Sequence, residues 1–160
     1  MLIHSATALP KDGRQSETAL SIARGTRRLL RARKFATLTE MPLASGRRAD
    51  IVALAQDSTI LIVEIKSSIA DFRADTKWPD YRAHCDRLYF AISEQTPAEI
   101  IPQDAGLIIA DSFGAEILRE APDHRLAAAT RRSMLVRFAH TAALRLHGLA
   151  DPEIAGFGSV

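Results

Sequence analysis

With 160 residues the chain is the size of one domain with a substantial hydrophobic core, and 47% hydrophobic with 25% charged residues is the composition of a folded protein, not a disordered one. The net charge of +2 says little about partners, so any such signal has to come from local charge patterning. The lone Cys85 excludes an internal disulfide and fits a reducing compartment. No apolar run approaches the roughly 20 residues of a membrane helix. The first residues also lack the basic-then-apolar order of a signal peptide, so a cytoplasmic location without membrane contact is expected.

Residues 1–13 carry Pro10 and Gly13 without a clear period and read as a loose tail. Ser16 is placed to cap a helix running to about Arg33, with Ala19, Ile22, Ala23, Thr26, Leu29 and Leu30 as one apolar stripe. Arg24, Arg27, Arg28 and Arg31 recur at i, i+3, i+4, i+7 on the opposite face, followed by Arg33 and Lys34. Such a face is either merely solvated or a surface for a polyanion.

Phe35–Leu43, Arg48–Ala55 and Thr59–Ser67 read as three strands. The turns between them are too short for crossovers, so they predict an antiparallel meander. Pro42 places the end of the first strand at a sheet edge or a bulge. Ser68–Asp75 is polar and helical, and Pro79 suits the start of a short helix ending near Asp86. Strands follow at Leu88–Ile92, Gly106–Ala110 and Ala115–Arg119, with a proline-bracketed segment, Thr96–Pro102, between the first two. A final helix is expected from Asp123 to about His147, stopped by Gly148, with Asp151–Val160 as a second tail. The element order predicts one α/β domain around a mixed sheet, residues 1–160, closed by a long C-terminal helix.

Chemistry concentrates at the end of the third strand. Glu64 and Lys66 share one face of an otherwise apolar run, because strand side chains alternate. A turn centred on Asp57 sets Asp50 opposite Glu64 on the neighbouring strand, with Cβ atoms about 5 Å apart. Two carboxylates so placed repel unless a cation lies between them, and Mg²⁺ or Mn²⁺ takes such oxygens while keeping positions for water and phosphate. Lys66 is placed to orient an attacking water or to offset charge on a phosphorane-like transition state.

Asp50 followed by Glu64-Ile65-Lys66 at the end of an apolar strand resembles the PD-(D/E)XK nuclease superfamily, and the element order resembles its restriction-endonuclease-like αβββαβ core. Further stretches are similar to the MmcB-like bacterial DNA-repair family: Thr39-Glu40, Gly46-Arg47-Arg48-Ala49-Asp50-Ile51, Glu64-Ile65-Lys66-Ser67-Ser68, Asp71-Phe72, Lys77-Trp78-Pro79-Asp80-Tyr81 and Cys85-Asp86-Arg87-Leu88-Tyr89-Phe90-Ala91. This similarity spans about residues 35 to 145. It implies metal-dependent hydrolysis of DNA phosphodiesters in repair, on damaged or branched substrates. Asp50, Glu64 and the Ile65 carbonyl would be metal ligands and Lys66 would act on the water. Ala49 stands where the superfamily name has proline, at a position without side-chain chemistry. The same fold can also serve a non-cleaving nucleic-acid-binding or scaffold role.

A further acid is sought at Glu40, which the first hairpin places within one residue of Asp50, before Glu17 on the helix. Arg47 and Arg48 precede Asp50 and are phosphate candidates, with the helical arginines and Lys77 beyond. Trp78 and Tyr81 either stack on unpaired bases or pack down on the sheet edge. Asp71, Asp75 and Asp80 read as helix-capping and solubilising acids. The last helix reads as core packing or a dimer surface, and cleavage of branched DNA would favour a twofold homodimer.

Overall fold

The computed structural model describes residues 16–156, so the reading of 1–13 as a tail lies outside it. Helix α1 spans Glu17–Ala32, and the Ser16 hydroxyl caps it by accepting the Ala19 N–H. The meander follows as β1 (Ala36–Pro42), β2 (Arg48–Leu54) and β3 (Ile60–Lys66). Then come α2 (Ile69–Ala74), a 3₁₀ turn at Trp78–His84, β4 (Arg87–Ile92), β5 (Gly106–Ala110), β6 (Ala115–Arg119) and α3 (Ala128–Ala150). The six strands form one sheet in the order β1-β2-β3-β4-β5-β6. Pairing is antiparallel except for β3–β4 and β4–β5, so the sheet is mixed and fits the restriction-endonuclease-like core.

The alternation along the central strands divides the core between two faces. Ile51, Val63, Ala91 and Ile108 meet α1, while Val52, Ile62 and Leu88 meet Tyr81 and Met134 on the other side. β3 is buried along its whole length, which is why its sequence reads as a near-continuous apolar run. On the α1 side, Gly25 lets the helix press onto the loop after β5. A Cβ there would sit 2.0 Å from the Asp111 carbonyl oxygen. Pro42 ends β1, an edge strand, where its missing N–H costs no ladder bond.

Three expectations at the C-terminal end are corrected. α3 begins at Ala128, not Asp123, because the preceding segment is held extended by Asp86. The His124 N–H donates to the Asp86 carbonyl and the Leu126 N–H to its carboxylate. The helix also continues through Gly148 and stops at Ala150, since Asp151 precedes Pro152 and is kept out of the helical region, at φ −137 and ψ 81. Pro152–Gly156 then forms a short 3₁₀ turn where a tail was expected. Among the described residues, no helix is long and apolar enough to cross a membrane.

Candidate active site at the open end of β2 and β3

The β2–β3 ladder pairs Leu54 with Ile60 through to Ile51 with Val63, the register set by a turn at Asp57. One step further lie Asp50 and Glu64, and here side chains take over from the backbone ladder. The Asp50 N–H donates to Glu64 Oε1 at 3.2 Å, and the Ile65 N–H donates to Asp50 Oδ2 at 2.8 Å. Each carboxylate therefore commits one oxygen to the opposite strand. The second oxygen of each receives no hydrogen bond from the described residues.

Glu64 is only 3% exposed and Asp50 is partly buried. Burial is the main force on both acids. It lifts the Asp50 carboxyl to about 6, with the Ile65 N–H pulling the other way and Glu40 adding repulsion. Glu64 is pushed well above the usual carboxylate range, first by burial and then by Asp50. Two buried, mutually repelling carboxyls, each with one uncommitted oxygen, are a donor set that suits a hard divalent cation. The Ile65 backbone lies beside them, since its N–H is one of the tethers. Among the described residues, no group of three or more His, Cys, Asp or Glu side chains comes together as a metal cluster.

Lys66 is 5% exposed and its ammonium lies 2.6 Å from Asp75 Oδ2. Burial opposes the charge on the amine, but the hydrogen bond and field of Asp75 outweigh it and raise the lysine above its ordinary value. Asp75 keeps a capping role as well, since its other oxygen accepts the Lys77 N–H at the start of the 3₁₀ turn, but its ion pair with Lys66 adds to that reading. α2 has only six residues, so its C-terminal end turns Asp75 back over the exit of β3. Asp71 also caps, taking the Ser67 N–H, and Asp80 pairs with Arg47.

The pairs flanking Glu40, Thr39–Ile51 and Met41–Ala49, set it opposite Asp50. Its backbone, however, sits at φ +52, and its carboxylate pairs with Arg48 at 2.5 Å. Arg145 of α3 fixes this kink by donating to the Thr39 and Glu40 carbonyls. Glu40 thus acts on Asp50 through its field, whereas Glu17 is exposed in the first turn of α1.

Tyr81 is 8% exposed and its hydroxyl donates to the Arg48 carbonyl, which leaves no ring face for a base. Trp78 meets Phe90 edge-on at 5.3 Å, with Arg82 over its ring at 5.4 Å. The stacking role considered for these two aromatics gives way to packing of the 3₁₀ turn on the sheet. Lys77 is exposed.

The helical arginines meet the site through a cavity of about 1190 Å³ beside β1, lined by Arg24, Arg27, Arg28 and Arg31 together with Asp50 and Ile65. Arg27 is steadied by the Thr37 hydroxyl and Arg28 by the Phe113 carbonyl, while the side chains of Arg24 and Arg31 make no hydrogen bond or ion pair with the described residues. The sequence reading did not pair Asp75 with Lys66, and it did not single out Arg145. The usable signal for Asp75 was an acid one short helix beyond Lys66. Arg145 had none, because its contact joins residues more than a hundred positions apart.

The sequence model of the family described as DNA repair protein MmcB-like matches residues 6–153. Among solved structures, a protein of unknown function from Silicibacter pomeroyi, SPO1766, shares 43% identity and superposes with a TM-score of 0.85. That match covers 91% of this chain and 98% of the other. No curated protein matches the chain.

Proposed function

The chain belongs to the MmcB-like family of DNA repair proteins, and on that footing we propose that it is a Mg²⁺- or Mn²⁺-dependent nuclease acting on damaged or branched DNA. The observation that carries the proposal is the pair of buried carboxyls, Asp50 and Glu64, tethered across the open end of β2 and β3 with an oxygen of each uncommitted. Asp50, Glu64 and the Ile65 carbonyl would hold the cation. When bound, a divalent cation supplies Lewis acidity toward a phosphate oxygen and lowers the pKa of water.

Lys66 keeps its proton and holds the water or the developing phosphate charge in line. Asp75 fixes the height of that ammonium above the strand end. Arg24 and Arg31 take the DNA backbone along the cavity that reaches Asp50, so the phosphate contacts lead to the scissile position.

A second reading has its own support. With Glu64 3% exposed and the Lys66 ammonium bound to Asp75, the same residues would suit a fold that binds DNA without cutting it. Incubation with supercoiled, nicked and branched DNA in Mn²⁺ separates the two. The nuclease reading expects cleavage that is abolished by EDTA, Asp50→Ala or Lys66→Ala. Absence of cleavage by the wild type, or equal cleavage by the variants, overturns it. The binding module expects salt-sensitive affinity that survives both substitutions.

A further inference from the structure

We propose that the outer face of α3 docks an acidic amphipathic helix supplied by a partner protein. α3 is 23 residues long, and Met134 is its buried residue. Leu135 and Phe138 pack inward with it. On the outside, Val136 is 61% and Leu144 58% exposed. They stand two turns apart, about 12 Å along the axis. Between this face and Pro42 runs a groove of about 870 Å³, lined by both apolar residues, by His140, and by Arg132, Arg137 and Arg145.

The charge of the helix selects the occupant. α3 carries no aspartate or glutamate, its Arg131 is already paired with Asp86, and Arg132, Arg137 and Arg145 line a groove to which no acid among the described residues contributes. Apolar side chains on one helix stripe, set among cations, complement a helix with leucine-like anchors at i, i+3, i+4, i+7 and carboxylates beside them. A second copy does not fit, since twofold self-pairing would bring these arginines against their own copies without a carboxylate between them. Residues 1–15 and 157–160 together carry one acid, Asp12, against Lys11 and Arg14, so neither segment offers the required charge. DNA would use the arginines but would leave Val136 and Leu144 unexplained. A membrane surface is flat, whereas this face is a groove.

The test is fluorescence anisotropy with a labelled synthetic peptide of about four helical turns, bearing leucines at the helical repeat and glutamates between them. Two counterparts carry glutamine or lysine in place of glutamate. The acidic peptide is expected to bind saturably, and the glutamine peptide at least about tenfold more weakly. Val136→Asp and Arg137→Glu should each weaken the acidic peptide by at least about tenfold, whereas Asp50→Asn should not. Unchanged melting of the variants keeps the result interpretable. The proposal is overturned by any of four outcomes: no saturable binding, equal affinity for the glutamine peptide, binding indifferent to both variants, or complete competition by phosphatidylserine vesicles. A dimer in sedimentation that Val136→Asp disperses would likewise make a second copy the occupant and overturn it.

Discussion

Asp50 and Glu64 are tethered by each other's strands: the Glu64 carboxylate accepts the Asp50 N–H, and the Asp50 carboxylate accepts the N–H of the residue following Glu64. The tether keeps two mutually repelling acids together without a cation, so their burial is a stability cost that the fold carries at this site. Glu64→Gln keeps an oxygen to accept the Asp50 N–H while removing one charge. It should stabilise the protein in EDTA by about 1 kcal/mol, measured by urea unfolding. Destabilisation by that variant would mean that the pair is a structural asset.

Lys66 and Asp75 form a buried ion pair, with side chains 6% and 19% exposed. Asp75→Asn leaves a buried ammonium without its counter-charge and should cost about 3 kcal/mol. The double variant Asp75→Asn, Lys66→Met should recover much of that loss, because the unpaired charge is gone. A double-mutant cycle in urea measures this coupling, and additive losses would show that the contact is energetically idle.

Asp86 gives the fold its acid sensitivity. Its carboxylate accepts from the Ile60 and Leu126 N–H groups and from both terminal nitrogens of Arg131, which ties the start of β3 to α3. Burial alone would raise this acid, but Arg131 and the two N–H groups lower it to about 2. A depressed acid contributes stability that is full above the unfolded value near 4 and is lost as pH falls through 2, about 2 kcal/mol here. Asp86→Asn should flatten that part of the stability–pH curve and lower neutral stability by about 3 kcal/mol. An unchanged acid limb in denaturant titrations from pH 5 to 2 would contradict the assignment.

Arg24 and Arg31 face the cavity without a protein partner among the described residues, so replacing them should leave melting unchanged. Each alanine substitution should reduce the slope of log affinity against log salt by about 1. Titrations of labelled DNA at several salt concentrations provide the readout. Wild-type slopes in both variants would place the DNA elsewhere.

Much of this arrangement was legible because it depends on local rules. A two-residue period and a short turn fix which residues face one another, and the Asp50–Glu64 register follows from them. The Ser16 cap and the Pro42 strand end are local in the same way. What escaped depends on contacts distant in sequence. The start of α3 is set by Asp86, some forty residues earlier, which overrides the helical pattern from Asp123. Asp75 read as a cap alone because its ion-pair partner, Lys66, lies across a chain reversal, and Glu40 looked like a third member of an acidic row. The kink at Glu40, held by Arg145, gives its carboxylate to Arg48 instead.

The central claim is that Asp50 and Glu64 form one divalent-cation site. Isothermal titration of Mn²⁺ into the EDTA-stripped protein tests it without requiring a DNA substrate. The account predicts one saturable site that Mg²⁺ competes for, lost in Asp50→Asn and in Glu64→Gln and retained in Glu17→Gln. It also predicts a gain of about 2.7 kcal/mol in unfolding free energy at a hundredfold excess over Kd. No saturable binding, or binding that persists when both Asp50 and Glu64 are replaced, would contradict it.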